Sequence, residues 1–119
     1  GKREVKEGVL VDSLIDMAAN KTLALIDRDD PKDVFDLYYF MTKEDMKPQQ
    51  LLDLVAKKFG AVYILDTFWG EAVKVSKRLF ELEPYMLGST TQDREKLLRS
   101  IVDYIENESK DYIRRTIPD

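Results

Sequence analysis

The stretch NKTLALIDRDDPKDVFDLYYF, residues 20–40, combines core-forming residues with charged residues at helical spacing. On a helical wheel of about 100° per residue, Lys21 lies within the apolar stripe of the first predicted helix, and Arg28 lies on the same line. The apolar members of that stripe include Leu14, Met17 and Leu25. Because a lysine in an apolar stripe must snorkel, pair or meet a ligand, this stretch predicts either structural ion pairs or part of a site.

The second half of the stretch supplies a carboxylate for each cation. Asp33 and Asp36 are three residues apart, so both point to roughly the same side of a second helix. If the two helices fold back as an αα-hairpin, Lys21 comes level with Asp36, and Arg28 comes level with Asp33. The sequence therefore predicts two cations and two carboxylates along one seam.

Residue chemistry leaves two interpretations of this seam open. In the first, the two pairs are salt bridges that fix the hairpin, and Asp33 also helps to satisfy amides in the first helical turn. In the second, the seam is a polar groove in which Lys21 holds a phosphate. One aspartate would then accept a proton or help to hold Mg²⁺.

Helical signals recur along the chain and predict an all-α fold, a helical bundle of about five helices that opens with the αα-hairpin. Residues 1–11 are predicted to be a leading strand or linker, and Ser13 is predicted to begin the first helix, from about Leu14 to Asp27. The further predictions are helices over 31–41 and 48–59, an ambiguous run over 61–65, a helix capped by Asp66, a loop over 84–90, and a last helix from Thr91 with a polar break at 107–109.

Composition narrows the possible chemistry. The chain has 119 residues, which suits one domain, and it contains neither cysteine nor histidine. The commonest general base, the commonest zinc ligand and the thiol nucleophile are therefore excluded. The net charge of -4 gives no overall attraction to nucleic acid, and no apolar run approaches the length that spans a bilayer. Catalysis would have to use carboxylates, lysine, arginine, tyrosine, serine or threonine.

The segment LIDMAANKTLALIDRDDPKDVFDLYYF, residues 14–40, resembles a motif of the AbiEii/AbiGii-type nucleotidyltransferases, which are abortive-infection and toxin–antitoxin toxins. In that family, a helix with a lysine, Ala-Leu and an arginine leads into a second helix with (Arg/Lys)-Asp-x-x-Asp-Leu-Tyr. The matching positions here are Lys21, Ala24-Leu25, Arg28, Lys32-Asp33 and Asp36-Leu37-Tyr38.

The resemblance implies transfer of a nucleotide from an NTP, in some members to tRNA, with Mg²⁺ in a cleft between an N-terminal nucleotidyltransferase core and a helical C-terminal half. It assigns nucleotide binding to Lys21 and Arg28, and a role near the attacking group to Asp33 or Asp36. It leaves the choice between the two aspartates open. It also implies a cytoplasmic protein without a membrane partner, an RNA acceptor, and an antitoxin as a possible further partner.

Two departures from the family pattern limit what the chain does by itself. The usual arginine before the first aspartate is Lys32, which keeps the charge but lacks the bidentate fork. The family's metal site, Gly-Ser followed by Asp-x-Asp, has no counterpart, because no Asp-x-Asp follows Gly88-Ser89. The resemblance therefore predicts the C-terminal helical part of a longer nucleotidyltransferase, without metal ligands of its own and inactive alone.

The aromatic residues allow another interpretation. Tyr63, Phe68, Trp69 and Phe80 would suit a base-stacking platform, but their helical spacing in an acidic chain favours core packing. The alternative to a nucleotidyltransferase part is a noncatalytic helical interaction or scaffold domain, in which the hairpin charges are only structural pairs.

Overall fold

The structure is a computed structural model that describes the backbone of residues 2–117 and the side chains of residues 13–117. Within residues 2–117, the chain forms five α-helices and one 3₁₀ helix, and no strand, which confirms the predicted all-α class. The elements in chain order are α1 (Lys2–Arg28), α2 (Pro31–Thr42), α3 (Pro48–Phe59), α4 (Leu65–Ser76), the 3₁₀ helix (Leu79–Tyr85) and α5 (Thr91–Thr116).

Helices α1 and α2 form the predicted hairpin, and local chemistry explains its tight turn. Asp29 adopts a left-handed backbone conformation with φ of 55°, which reverses the chain. Asp30 is the N-cap of α2, and its side chain accepts a hydrogen bond from the backbone nitrogen of Lys32 at 2.9 Å. Pro31 follows in the first turn, where its missing N–H costs nothing.

Helix α1 begins earlier than predicted. It starts at Lys2, so the leading strand or linker is wrong for residues 2–11, and Ser13 lies inside the helix; Gly1 lies outside the described residues. The physical reason is propensity. Lysine, arginine and glutamate make up five of the ten residues from 2 to 11, and such residues favour helix without needing an apolar face. Gly8 costs about 1 kcal/mol relative to alanine in a helix interior, which the neighbouring residues offset.

The polar residues 107–109 predicted a break in the last helix, and this prediction is wrong. Helix α5 runs without interruption to Thr116. The residues Ile101, Ile105 and Ser109 follow one another at four-residue intervals and are all buried. Ser109 therefore continues the buried face, because a small hydroxyl side chain fits where a larger polar one would not.

Three further boundaries differ in detail. Residues 61–64 lie in a connection rather than a strand, and Gly60 ends α3 with φ of 69° as predicted. Asp66 lies in the first turn of α4, whose N-cap is Ile64. The predicted loop over 84–90 is shorter, because Pro84 belongs to the 3₁₀ helix, where the fixed φ of proline is compatible with the backbone.

The core lies where the five α-helices and the 3₁₀ helix meet. Phe68 and Trp69 are buried, 0% and 7% exposed, so the prediction of core packing is confirmed for both residues. The other buried apolar residues of this cluster are Ala18, Leu25, Val34, Leu37, Phe40, Met41, Leu51, Leu52, Ala72, Val75, Leu79, Leu98, Ile101 and Ile105.

The buried face of α1 is rotated away from the stripe that the wheel predicted. Ala18, Thr22 and Leu25 are fully buried, whereas Leu14 and Met17 are 36% and 49% exposed. The wheel was wrong for these two residues because it fixes relative angles only, and the neighbouring helices decide which face is covered. Lys21 consequently lies at the edge of the buried face.

No helix within the described part of the chain combines the length and the apolar character needed to cross a bilayer.

Candidate functional site

The seam between α1 and α2 brings together all four charged residues that the sequence singled out. The Lys21 Nζ lies 2.7 Å from Asp36 Oδ2 and 3.8 Å from Asp33 Oδ1. The Arg28 Nη2 lies 3.5 Å from Asp33 Oδ2. Both predicted pairs, Lys21–Asp36 and Arg28–Asp33, are therefore formed, and Lys21 additionally approaches the second carboxylate.

The two aspartates occupy different environments. The Asp33 side chain is 1% exposed and lies beneath the two cations, whereas the Asp36 side chain is 39% exposed. Lys21 and Arg28 are 33% and 64% exposed. Asp36, Lys21 and Arg28 can therefore reach a ligand from solvent, while Asp33 can act on it only through the cations that it holds.

Burial and charge act in opposite directions on Asp33. Burial raises the pKa of the Asp33 carboxyl above its ordinary value, although Arg28 and Lys21 both act to lower it. The contacts with the two cations, at 3.5 and 3.8 Å, are long for ion pairs, which explains why desolvation outweighs them. The pKa of Lys21 is raised, chiefly by its hydrogen bond to Asp36.

The raised pKa of Asp33 predicts a pH dependence of stability. A folded state that holds the Asp33 proton more tightly than the unfolded chain gains stability from this group at low pH. That contribution is lost as the pH rises through the folded pKa, which lies above the ordinary aspartate value. Relative to Asp33→Asn, the unmodified chain should therefore lose stability as the pH rises from the acidic range toward neutrality.

Urea unfolding at several pH values, followed by circular dichroism, measures this difference. The matched control is Asp103→Asn, at an exposed position of α5. The control should show no such trend, and a stability difference for Asp33→Asn that does not vary with pH would contradict the assigned burial effect.

A small groove adjoins the seam on the side of Asp36. It encloses about 180 Å³ and is lined by Lys32, Phe35, Asp36, Leu82, Tyr85 and Met86. Lys32 is exposed and contributes a cation to this groove. Lys32 stands at the position where the family motif given above usually has arginine. The groove gives a ligand a place beside Asp36 without displacing any helix.

These residues do not by themselves form a magnesium site. Among the described side chains, no group of three or more carboxylates or other metal-binding groups converges. Asp33 and Asp36 are each in contact with a cation, which competes with a metal ion for their oxygens. Their donor set therefore does not fit a resident Mg²⁺.

A clamp formed by Lys74 of α4 and by Arg78, two residues after α4, fixes the hairpin turn, and no local sequence pattern predicted it. The Lys74 Nζ lies 3.2 Å from Asp29 Oδ2, and Arg78 Nη1 donates a hydrogen bond to the Asp29 carbonyl oxygen at 2.9 Å. The pKa of the Glu71 carboxyl is raised, first by the neighbouring Asp29 carboxyl and then by burial. The partners are more than forty residues apart in sequence, so no local spacing could reveal them.

Comparison with known proteins agrees with the hairpin motif. A family model described as "Nucleotidyl transferase AbiEii toxin, Type IV TA system" matches residues 4–115, most of the chain. The chain belongs to the AbiEii family. The AbiEii match includes α1 and α2 with all four charged residues of the seam, and it continues through the 3₁₀ helix into α5. No match was found among curated proteins or among solved structures.

Proposed function

We propose that this chain is the C-terminal helical domain of an AbiEii nucleotidyltransferase and supplies the residues that hold the NTP. The observation that carries the proposal is the contact of 2.7 Å between Lys21 and Asp36 at the edge of the core, where both side chains are about one-third exposed. A purely structural ion pair gains little at such exposure, whereas a ligand can reach both groups.

In this proposal, the two cations bind the triphosphate. The Lys21 ammonium is held between Asp33 and Asp36 and can donate a hydrogen bond to a phosphate oxygen without leaving Asp33. The Arg28 guanidinium is 64% exposed and contacts Asp33 through one nitrogen, so its other nitrogens can bind further oxygens. Asp33 then positions both cations from below and does not touch the nucleotide.

Asp36 is the better candidate for the general base. Lys21 contacts its Oδ2, and the carboxylate is exposed next to the groove lined by Lys32 and Tyr85. The attacking hydroxyl of the acceptor would form a bond to the α-phosphorus, its proton would pass to Asp36, and the bond to pyrophosphate would break. The buried position of Asp33 leaves no room for such an acceptor.

The rest of the proposal follows from membership of the family. Mg²⁺ bound with the NTP would neutralise phosphate charge, and its ligands would belong to the N-terminal nucleotidyltransferase core, because the residues described here do not fit the ion. The chain alone would then be inactive. The acceptor would be tRNA or another RNA, an antitoxin would be the further partner, and the compartment would be the cytoplasm.

A transfer assay tests this proposal. The full-length gene product that contains this chain, and the 119-residue chain alone, are each incubated with Mg²⁺, total RNA and one α-³²P-labelled NTP at a time. We expect label in RNA with the full-length product and none with the chain alone. Label with neither protein for all four nucleotides would favour the alternative, a noncatalytic helical interaction or scaffold domain.

A further inference from the structure

A second cavity lies at the C-terminal end of α2 and shares no residue with the seam. It encloses about 660 Å³ between α2, the start of α3, α4 and α5, and its walls include Met41, Met46, Trp69, Tyr104, Glu108 and Tyr112. This volume is typical of small-molecule sites, which are mostly apolar with a few polar groups. Tyr38 of α2 packs edge-on against Tyr104, one of the cavity walls, with ring centroids 5.3 Å apart.

One carboxylate stands among the aromatic walls. Tyr104, Glu108 and Tyr112 follow at four-residue intervals on α5, so they share one face of that helix. The helical neighbours of Glu108 at three and four residues are Tyr104, Ile105, Asp111 and Tyr112, none of which is a cation. Glu108 also raises the pKa of Tyr104, after burial, which agrees with a phenol directed at this carboxylate.

Several contacts hold the aromatic rings in place. Trp69 packs edge-on against Phe68 with centroids 5.0 Å apart, and the Tyr112 hydroxyl donates a hydrogen bond to Asp66. Met41 and Met46 line the same cavity, and methionine side chains adapt readily to different ligands. The cavity is therefore lined by aromatic rings that are held in place and by two flexible methionine side chains.

We propose that this cavity binds an organic cation, an alkylated ammonium group attached to a small apolar body. Aromatic faces attract cations through their quadrupoles, and alkylated ammonium groups lose less hydration on entering such a site than a bare ammonium does. The Glu108 carboxylate supplies the opposite charge. The proposal is independent of the NTP site, since the two sites share no residue.

Two cationic residues, Lys47 and Arg115, also line the cavity, and both are exposed to solvent. Lys47 is exposed and pairs with Asp45 at 3.3 Å, and Arg115 is exposed and donates from Nε to the Asp111 carbonyl oxygen at 3.3 Å. Their charges are screened by solvent, so they act weakly on a ligand held beside Glu108. An anionic ligand would instead use these two residues, and the experiment separates the two cases.

Trp69 provides the measurement, because it is the only tryptophan in the chain and lines the cavity. The 119-residue chain is titrated with choline chloride while tryptophan emission is followed at constant ionic strength. The neutral control is 3,3-dimethylbutan-1-ol, which has the shape of choline without its charge, and the anionic control is sodium butyrate. We expect a saturable change with choline and at least about tenfold weaker binding of either control.

Glu108→Gln tests the carboxylate directly. It should raise the Kd for choline at least about tenfold, since it removes the negative charge of the one acidic residue among the described side chains that line the cavity. The matched control is Glu106→Gln, on the same helix but not in the cavity wall, which should leave the Kd unchanged. Circular dichroism confirms that each variant is folded, and Tyr112→Phe, which keeps the ring, should retain binding.

Four results would overturn the proposal. Equal binding of choline and 3,3-dimethylbutan-1-ol would show a merely apolar cavity, and stronger binding of butyrate would show an anion site. An unchanged Kd in folded Glu108→Gln, or no change of emission with choline at millimolar concentration, would show that the cavity does not recognise cations.

Discussion

Replacing Lys21 with methionine should abolish nucleotide transfer by the full-length protein while leaving the helical fold intact. We expect a loss of at least about 100-fold in kcat/KM, the size usually found when one preorganised donor to a developing charge is removed. Methionine keeps the unbranched apolar stem of lysine, so the packing of Lys21 against α2 is retained and only the ammonium is lost.

The cost in stability should be small, at most about 1 kcal/mol. Lys21 and Asp36 are 33% and 39% exposed, so their pairing contributes little, and the buried Asp33 keeps Arg28 as a partner. The sequence alone allowed a second result, a loss of roughly 3–5 kcal/mol from a truly buried pair. The exposure of both side chains argues against that result.

Lys57→Met is the matched control, because Lys57 is an exposed lysine at the end of α3, away from the seam. Transfer of labelled nucleotide is measured for both variants, with urea unfolding in parallel. An activity loss no greater than that of Lys57→Met would contradict the proposed role of Lys21. A loss of activity that accompanies unfolding would assign the residue to structure instead.

Replacing Phe68 with alanine should lower the free energy of unfolding by about 3–5 kcal/mol, the usual cost of truncating a fully buried phenylalanine. Phe68 is 0% exposed, belongs to the central apolar cluster and packs edge-on against Trp69 at 5.0 Å. The truncation therefore removes both the burial of the ring and an aromatic contact, and it leaves a cavity that the surrounding helices can only partly close.

Urea unfolding followed by far-ultraviolet circular dichroism measures this loss. Phe80→Ala is the control, since Phe80 is 39% exposed and its ring faces Arg99 at 5.6 Å. The control should cost about 1 kcal/mol or less. If the two variants were equally stable, Phe68 would not be the core residue that its burial indicates, and the stacking interpretation of the aromatic residues would regain support.

The fold could be predicted from local signals wherever those signals agreed with each other. Pro31 and Pro48 start two helices and Gly60 ends one, because the backbone limits of proline and glycine act without tertiary help. The helix was not predicted over residues 2–11, because the helix-forming residues there show no apolar pattern. At residues 2–11, helix propensity was sufficient without an apolar pattern. A break was wrongly predicted at residues 107–109, because a polar run interrupts the apolar pattern of the last helix. At residues 107–109, the buried Ser109 continues the helical face, which the polar sequence did not indicate.

The sequence by itself determined the helical class, the hairpin, and the pairing of Lys21 with Asp36 and of Arg28 with Asp33, because helical spacing and a short turn fix which residues come level. Only the tertiary structure decided that Asp33 is buried and Asp36 exposed, since the two differ through the helices packed around them. The tertiary structure also brings Lys74 and Arg78 into contact with Asp29. It places Trp69, Tyr104 and Glu108 around one cavity. Such groupings join residues distant in the chain, and only packing brings them together.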